Sequence, residues 1–119
     1  MTFERLSLGK WGEETAASYL QAQGMKIIER NYRTPLGEID LIAHHKKNLV
    51  FVEVKTRRSN LFGVPQEAVG KRKQHQIIRA AQWYLQSNPT NLQPRFDVVA
   101  VHAAGDQPVI DHIPDAFGV

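Results

Sequence analysis

Cysteine is absent from the chain, which excludes a disulfide framework and any site built on thiolate ligands, and suits a reducing compartment. No apolar run approaches the roughly 20 residues of a membrane span. The segment from Met1 to Lys10 also lacks the hydrophobic core of a secretory leader. A cytoplasmic protein with no membrane partner is the expectation. There is no glycine-rich phosphate loop, so nucleoside triphosphate use is not indicated. Repeats, low-complexity tracts and linkers are missing as well. At 119 residues the chain can bury one core and not two, and a single domain over 1–119 is expected.

Basic residues are missing from the end of the chain. All 15 Lys and Arg lie at or before Arg95, where eight Asp and Glu leave a balance of +7. Asp97, Asp106, Asp111 and Asp115 then contribute −4. A basic body with an acidic end suits a polyanionic partner, although ordinary solvated faces give the same tally. Hydrophobic residues make up 42% and charged residues 23%, both near globular averages, which argues against wholesale disorder.

The pattern along the chain predicts seven elements in the order α-β-β-β-α-β-β. Ser7 to Gly24 is a helix with Ala16, Ala17 and Leu20 on one face and Gly24 as its stop. Lys26 to Arg33 is a short strand leading to a turn at Thr34-Pro35-Leu36-Gly37. Alternating runs at Glu38 to His44 and Leu49 to Arg57 form a hairpin about His45-Lys46-Lys47-Asn48. A second helix runs from about Gln66 to Gln86. Strands follow at Arg95 to Ala103 and around Pro108 to Ile113. The helix between the third and fourth strands makes a crossover, so those strands should be parallel in a mixed α/β sheet flanked by helices.

Chemistry concentrates on the hairpin. Strand residues two apart share a face, which groups Glu38 with Asp40 against Ile39, Leu41 and Ala43. Phe51, Glu53, Lys55 and Arg57 likewise oppose Val50, Val52 and Val54. A loop centred between Lys46 and Lys47 sets Asp40 opposite Glu53 and Glu38 opposite Lys55. Two facing carboxylates destabilise a hairpin, and a divalent cation between them reverses that sign. Magnesium uses one or two carboxylates and keeps waters for a phosphate. Lys55 beside Glu53 can orient an attacking water and offset charge on phosphorus. Together these are the parts of phosphodiester hydrolysis. Solvent-facing charges on an amphipathic hairpin would show the same residues, and an E-x-K triplet alone decides nothing. The in-register aspartate is what favours a site.

Both helices carry a charge on their apolar stripe. Glu13 lies among Ala16, Ala17 and Leu20, whereas Glu14 falls on the polar face. Two readings fit Glu13: a carboxylate stabilised by the helix N-terminus, or a third acidic group aimed at the metal. Lys73 lies one turn before Ile77 and either clamps a scissile phosphate or reaches solvent. Arg57, Arg58, Lys71 and Arg72 suit contacts to a nucleic-acid backbone. The five histidines lack ligand spacing. Trp11, Trp83, Tyr84 and Phe96 are expected in the core, and Asp97 is expected to be a buried partner of an arginine.

Several motifs together resemble a known family. They are Gly9-x-x-Gly12-Glu13-x-x-Ala16 with Tyr19-Leu20, Gly37-Glu38-Ile39-Asp40-Leu41-Ile42, and Phe51-Val52-Glu53-Val54-Lys55-Thr56-Arg57. To these are added Lys73, Arg95-Phe96-Asp97-Val98 and Ile113-Pro114-x-Ala116-Phe117. The set is similar to the YraN family of small bacterial proteins, itself similar to PD-(D/E)xK nucleases and distantly to archaeal Holliday-junction resolvases. The resemblance implies a restriction-endonuclease-like αβββαβ core. It places the metal-binding aspartate on Asp40, the acidic E-x-K residue on Glu53, the catalytic lysine on Lys55 and the resolvase glutamate on Glu13. Ile39 stands where the "PD" signature has proline. The expected function is a Mg2+-dependent endonuclease, with Mn2+ substituting, acting on branched or structured DNA rather than RNA and working as a homodimer. A non-catalytic nucleic-acid-binding module and a ribonuclease are the alternatives.

Overall fold

The computed structural model describes residues 2–58 and 69–118, with side chains from Ser7 onward except that of Ala104. Helix α1 spans Thr2–Ala22, strands β1, β2 and β3 span Lys26–Thr34, Gly37–His45 and Asn48–Arg57, and helix α2 spans Lys71–Ser87. Strands β4 (Gln93–Ala104) and β5 (Gln107–Phe117) complete the chain. This is the αβββαβ order implied by the resemblance, with a fifth strand added. The strands lie side by side in sequence order. All neighbours are antiparallel except β3 and β4, which run parallel over the whole of β3, as the crossover through α2 requires. Helix α1 starts earlier than its apolar stripe suggested and β5 continues beyond Ile113, while the expected start of α2 near Gln66 lies outside the described residues.

The two helices cover opposite faces of the sheet. Ala16, Ala17 and Leu20 of α1 pack on Val50, Val52 and Val54 of β3, with Val99 and Val101 of β4. Ile77, Ala80, Ala81 and Tyr84 of α2 pack on Leu49 and Phe51 of β3, with Phe96 and Val98 of β4. Strand β3 is therefore buried on both sides, which explains its nearly unbroken Val and Phe content. Trp83 departs from expectation. It stays 42% exposed on α2, while Tyr84, Phe96 and half-buried Trp11 take their expected places in or against the core.

A buried polar cluster ties the end of the sheet to α1. Asp97 has no solvent exposure and takes two hydrogen bonds of 2.9 Å from Arg95. It also meets His112 Nε2 at 2.8 Å and accepts the Asp115 amide at 3.0 Å. His112 Nδ1 in turn lies 3.2 Å from the Tyr19 hydroxyl. Burial pushes the Asp97 carboxyl up, but these bonds outweigh it and hold the group below its ordinary value. Asp97 is thus the structural partner of an arginine that the sequence suggested.

Candidate metal and nucleic-acid site

The hairpin register is the expected one as far as it goes. His45 pairs with Asn48 around the Lys46-Lys47 turn, and pairing continues to Leu41 opposite Val52. There the ladder ends, so Asp40 and Glu53, Ile39 and Val54, and Glu38 and Lys55 are not ladder partners as the register argument expected. Strand β2 instead leaves β3 and stays paired with β1 alone, through Ile39 to Tyr32 and Gly37 to Thr34. The face pattern changes at the same point. Leu41 and Ala43 enter the α1-side core, whereas Ile39 enters the α2-side core with Ile42, so Ile39 and Leu41 do not share a face.

The dislocation has a cause on each strand. Asn31 of β1, between the pairs at Arg30 and Tyr32, has a left-handed φ of 52°. Asparagine tolerates this conformation better than other side-chain-bearing residues. Across from it, Asp40 turns its carboxylate into the fork, where Oδ2 accepts the Val54 amide at 2.8 Å. In a continued ladder that amide would face Ile39. A side chain has replaced a main-chain partner, and the carboxylate is fixed at the opening between two strands.

Glu53 projects from β3 toward the α2 face and is only 6% exposed. Its carboxylate lies 3.8 Å from Lys73 Nζ, so Lys73 reaches inward from the first turn of α2 to the acidic centre. Burial raises the Glu53 carboxyl most, and the charge of Asp40 and a hydrogen bond to it raise it further. Lys73 and Lys55 pull it back in part, and the result is about 8. At neutral pH the buried Glu53 carboxyl therefore keeps its proton. A buried acid that keeps its proton at this pH is the electrostatic mark of a place lacking one positive charge.

Glu13 approaches from the other helix. It is half-buried while Glu14 is exposed, as the stripe predicts. Burial and the neighbouring Asp40 raise its carboxyl, a hydrogen bond with Asn31 lowers it, and Glu38 raises it again. Gly12 makes this approach possible. A Cβ there would overlap the Thr56 side chain of β3, with Thr56 Cγ2 only 2.8 Å away. Gly37 does the same for α2, since a Cβ on it would lie 3.0 Å from the Gln76 carbonyl. Glycines at both contacts let the two helices close on the forked strands.

Among the described residues, no three His, Asp or Glu side chains converge into a ready-made metal cage. The donor set is the pair Asp40 and Glu53, with Glu13 beside Asp40. That set fits magnesium, which needs only one or two carboxylates and retains waters. Of the basic residues, Lys73 ion-pairs with Glu53 and the charge of Lys55 also acts on Glu53. Arg57 is half-buried and donates to the Thr56 carbonyl at 3.0 Å. Arg58, Lys71 and Arg72 are exposed. Sequence reasoning missed Asn31; the available signal was a turn-forming residue inside a strand, two places before Arg33.

A mixed five-stranded sheet that forks beside the buried Glu53 and the half-buried Asp40, with Lys73 against Glu53, makes this an α/β protein with an acidic centre. The chain belongs to the Uncharacterised protein family UPF0102, whose family model matches residues 12–101. Glu13, Asp40, Glu53, Lys55 and Lys73 all fall inside that span. It is 61% identical to a UPF0102 protein of Syntrophotalea carbinolica, over 100% of this chain and 98% of that one. A UPF0102 protein of Trichlorobacter lovleyi is 48% identical over 93% of this chain and 90% of its own. One from Syntrophomonas wolfei is 50% identical over 92% and 96%. Among the described residues, no helix is long and apolar enough to cross a membrane.

Proposed function

We propose that the protein is a metal-dependent endonuclease that hydrolyses phosphodiester bonds of DNA, with branched or otherwise structured DNA as substrate. The observation that carries this reading is the fork. There Asp40 and the buried Glu53 are in hydrogen-bond contact, and Lys73 lies 3.8 Å from Glu53. Asp40 and Glu53 would hold Mg2+ or Mn2+, and Glu13 adds a third negative charge beside Asp40. Bound there, the ion would act as a Lewis acid on the phosphate and lower the pKa of water. Lys55, on the same strand face as Glu53, orients the attacking water and offsets charge gathering on the non-bridging oxygens. Water oxygen forms the new bond to phosphorus, and one bridging P–O bond breaks. Arg57, Arg58, Lys71 and Arg72 hold the flanking backbone by charge.

The DNA preference and the branched substrate rest on the resemblance to resolvase-type nucleases, and so does a homodimer, because symmetric cutting of a junction needs two sites about a two-fold axis. The sequence also offers the Leu61-Phe62 pair either as an apolar dimer contact or as a tuck into the core, and that pair lies outside the described residues. The test is cleavage of a panel containing single strands, duplex, flap, four-way junction and structured RNA, with Mg2+, Mn2+ or chelator. Metal-dependent cutting of DNA junctions or flaps that Lys55→Ala abolishes, with affinity kept within severalfold, supports the assignment. Cleavage of RNA alone would make the protein a ribonuclease. Binding without cleavage of any substrate would make it a binding module of the same fold.

A further inference from the structure

Helix α2 is unusual in its charges. It carries Lys71, Arg72, Lys73 and Arg79 and no acidic residue at all. Three of those cations occupy the first turn, where the helix dipole opposes them, and Gly70 ahead of them provides no side-chain cap. A solvated surface helix of ordinary function would offset such charges with glutamates a turn away. Among the described residues, only Lys73 of the four has an ion-pair partner, and that partner is Glu53.

The outward positions form one stripe. Arg72, Gln76, Arg79 and Trp83 are spaced i, i+4, i+7 and i+11, so they stack along one side of the helix. All four are exposed or partly exposed. Arg72, Gln76 and Arg79 line one surface groove together with His75. The stripe begins next to Lys73, which touches the acidic centre, and Gln76 packs by its carbonyl against Gly37, three residues before Asp40. It ends about 16 Å away at Trp83, a large aromatic left 42% exposed although a buried apolar face lies one position further along the helix at Tyr84.

Resting on the nuclease reading above, we propose that this stripe of α2 is the docking track for a single-stranded segment of nucleic acid leading to the site, with Arg72 and Arg79 on phosphates and Trp83 stacked on an unpaired base. Charge complementarity selects a polyanion, since the stripe holds two guanidinium groups and no carboxylate. The exposed indole selects unpaired bases, because a base inside a duplex has no free face to offer. Cations beside an aromatic platform are the chemistry by which single strands are held without sequence preference. The substrate class follows: nucleic acid with a few unpaired nucleotides beside the scissile bond.

The experiment measures binding by the full chain in chelator. It uses single-stranded, duplex and splayed DNA oligonucleotides and a Trp11→Phe background, so that Trp83 alone reports fluorescence. Single-stranded and splayed DNA should quench Trp83 and bind more tightly than blunt duplex. Trp83→Ala should weaken that binding roughly tenfold while leaving duplex affinity unchanged. Arg79→Ala should lower the log-log salt slope for single strands by about 0.7, the share of one neutralised phosphate. Both substitutions are at surface positions, and melting curves would confirm folding; Arg79→Glu gives a second variant with a larger expected loss. Equal affinity for single strands in wild type, Trp83→Ala and Arg79→Glu overturns the track, as does tighter binding to duplex with no quenching. Absence of metal-dependent cleavage would instead overturn the nuclease reading, and the binding measurements would still decide the role of α2.

Discussion

Glu53→Gln should stabilise the metal-free protein at alkaline pH and leave it unchanged in acid. The Glu53 carboxyl moves from 4.5 to about 8 in the folded chain, while in the unfolded chain it keeps its ordinary value. Between those two points the folded state binds one more proton than the unfolded state, so stability falls as pH rises. The contribution is fully present below pH 4.5 and lost as pH passes through about 8. At about 1.4 kcal/mol per pH unit, that interval sets a ceiling of about 5 kcal/mol. An amide reproduces the buried neutral acid only in part, and water reaching the fork softens the penalty. The expected advantage of Glu53→Gln over wild type at about pH 8 is therefore about half the ceiling, or roughly 2–3 kcal/mol.

For a chain of this size that difference is about 10 °C in melting temperature. Melting curves in chelator at about pH 5 and about pH 8 read it directly. Manganese then supplies an independent check. At a hundredfold excess over its dissociation constant it should stabilise wild type by about 2.7 kcal/mol, and it should do nothing for Glu53→Gln or Asp40→Asn. Parallel pH profiles for wild type and Glu53→Gln would refute the claim that Glu53 is held protonated. A wild-type curve unmoved by manganese would refute the metal site itself.

Gly12→Ala should destabilise the fold by about 1–3 kcal/mol through overpacking, because its Cβ would overlap the Thr56 side chain; an unchanged melting temperature would mean that α1 can lift off β3 at no cost. Asn31→Gly should hold thermal stability, since glycine adopts a φ of 52° without strain, yet it should reduce manganese affinity and cleavage severalfold by freeing Glu13. That loss should vanish in a Glu13→Gln background, and a full loss there would show that Asn31 acts by another route. Glu13→Gln should keep or raise stability while lowering activity, with Glu14→Gln on the exposed face changing neither; destabilisation with intact cleavage would make Glu13 a structural partner.

Much of the fold was legible because most elements obey a single period, β2 being the exception beyond Leu41. The double-sided burial of β3 shows in its run from Leu49 to Val54, and the crossover through α2 forces β3 and β4 to be parallel. The Lys46-Lys47 turn set the register correctly through Leu41 and Val52. Trp83 was not legible, because helical spacing places it only one position from the buried stripe at Tyr84. The decision that it faces outward is made by what lies on the sheet below, and no local pattern carries that.

The fork at Asp40 shows where local reasoning stops. Period-two alternation assumes that a strand keeps its neighbours, and under that assumption Asp40 and Glu53 are cross-strand partners that repel. The chain avoids the pairing by directing the Asp40 carboxylate to the Val54 amide, which keeps that main-chain donor satisfied while the ladder opens. Asn31 on the opposite strand absorbs the twist in a left-handed conformation. Neither residue explains the other alone: an aspartate in an alternating strand reads as a surface charge, and an asparagine in a strand reads as a weak point. Only together do they give a sheet that separates at one place while leaving no buried side-chain polar atom unpaired among the described residues. The opening exposes a carboxylate pair to one end of α2, where Lys73 already stands. A purely structural hairpin would gain by closing that gap with a hydrophobic pair in place of Asp40 and Glu53. Keeping it open costs stability, and under the proposed reading a cation with its phosphate is what the open form would hold.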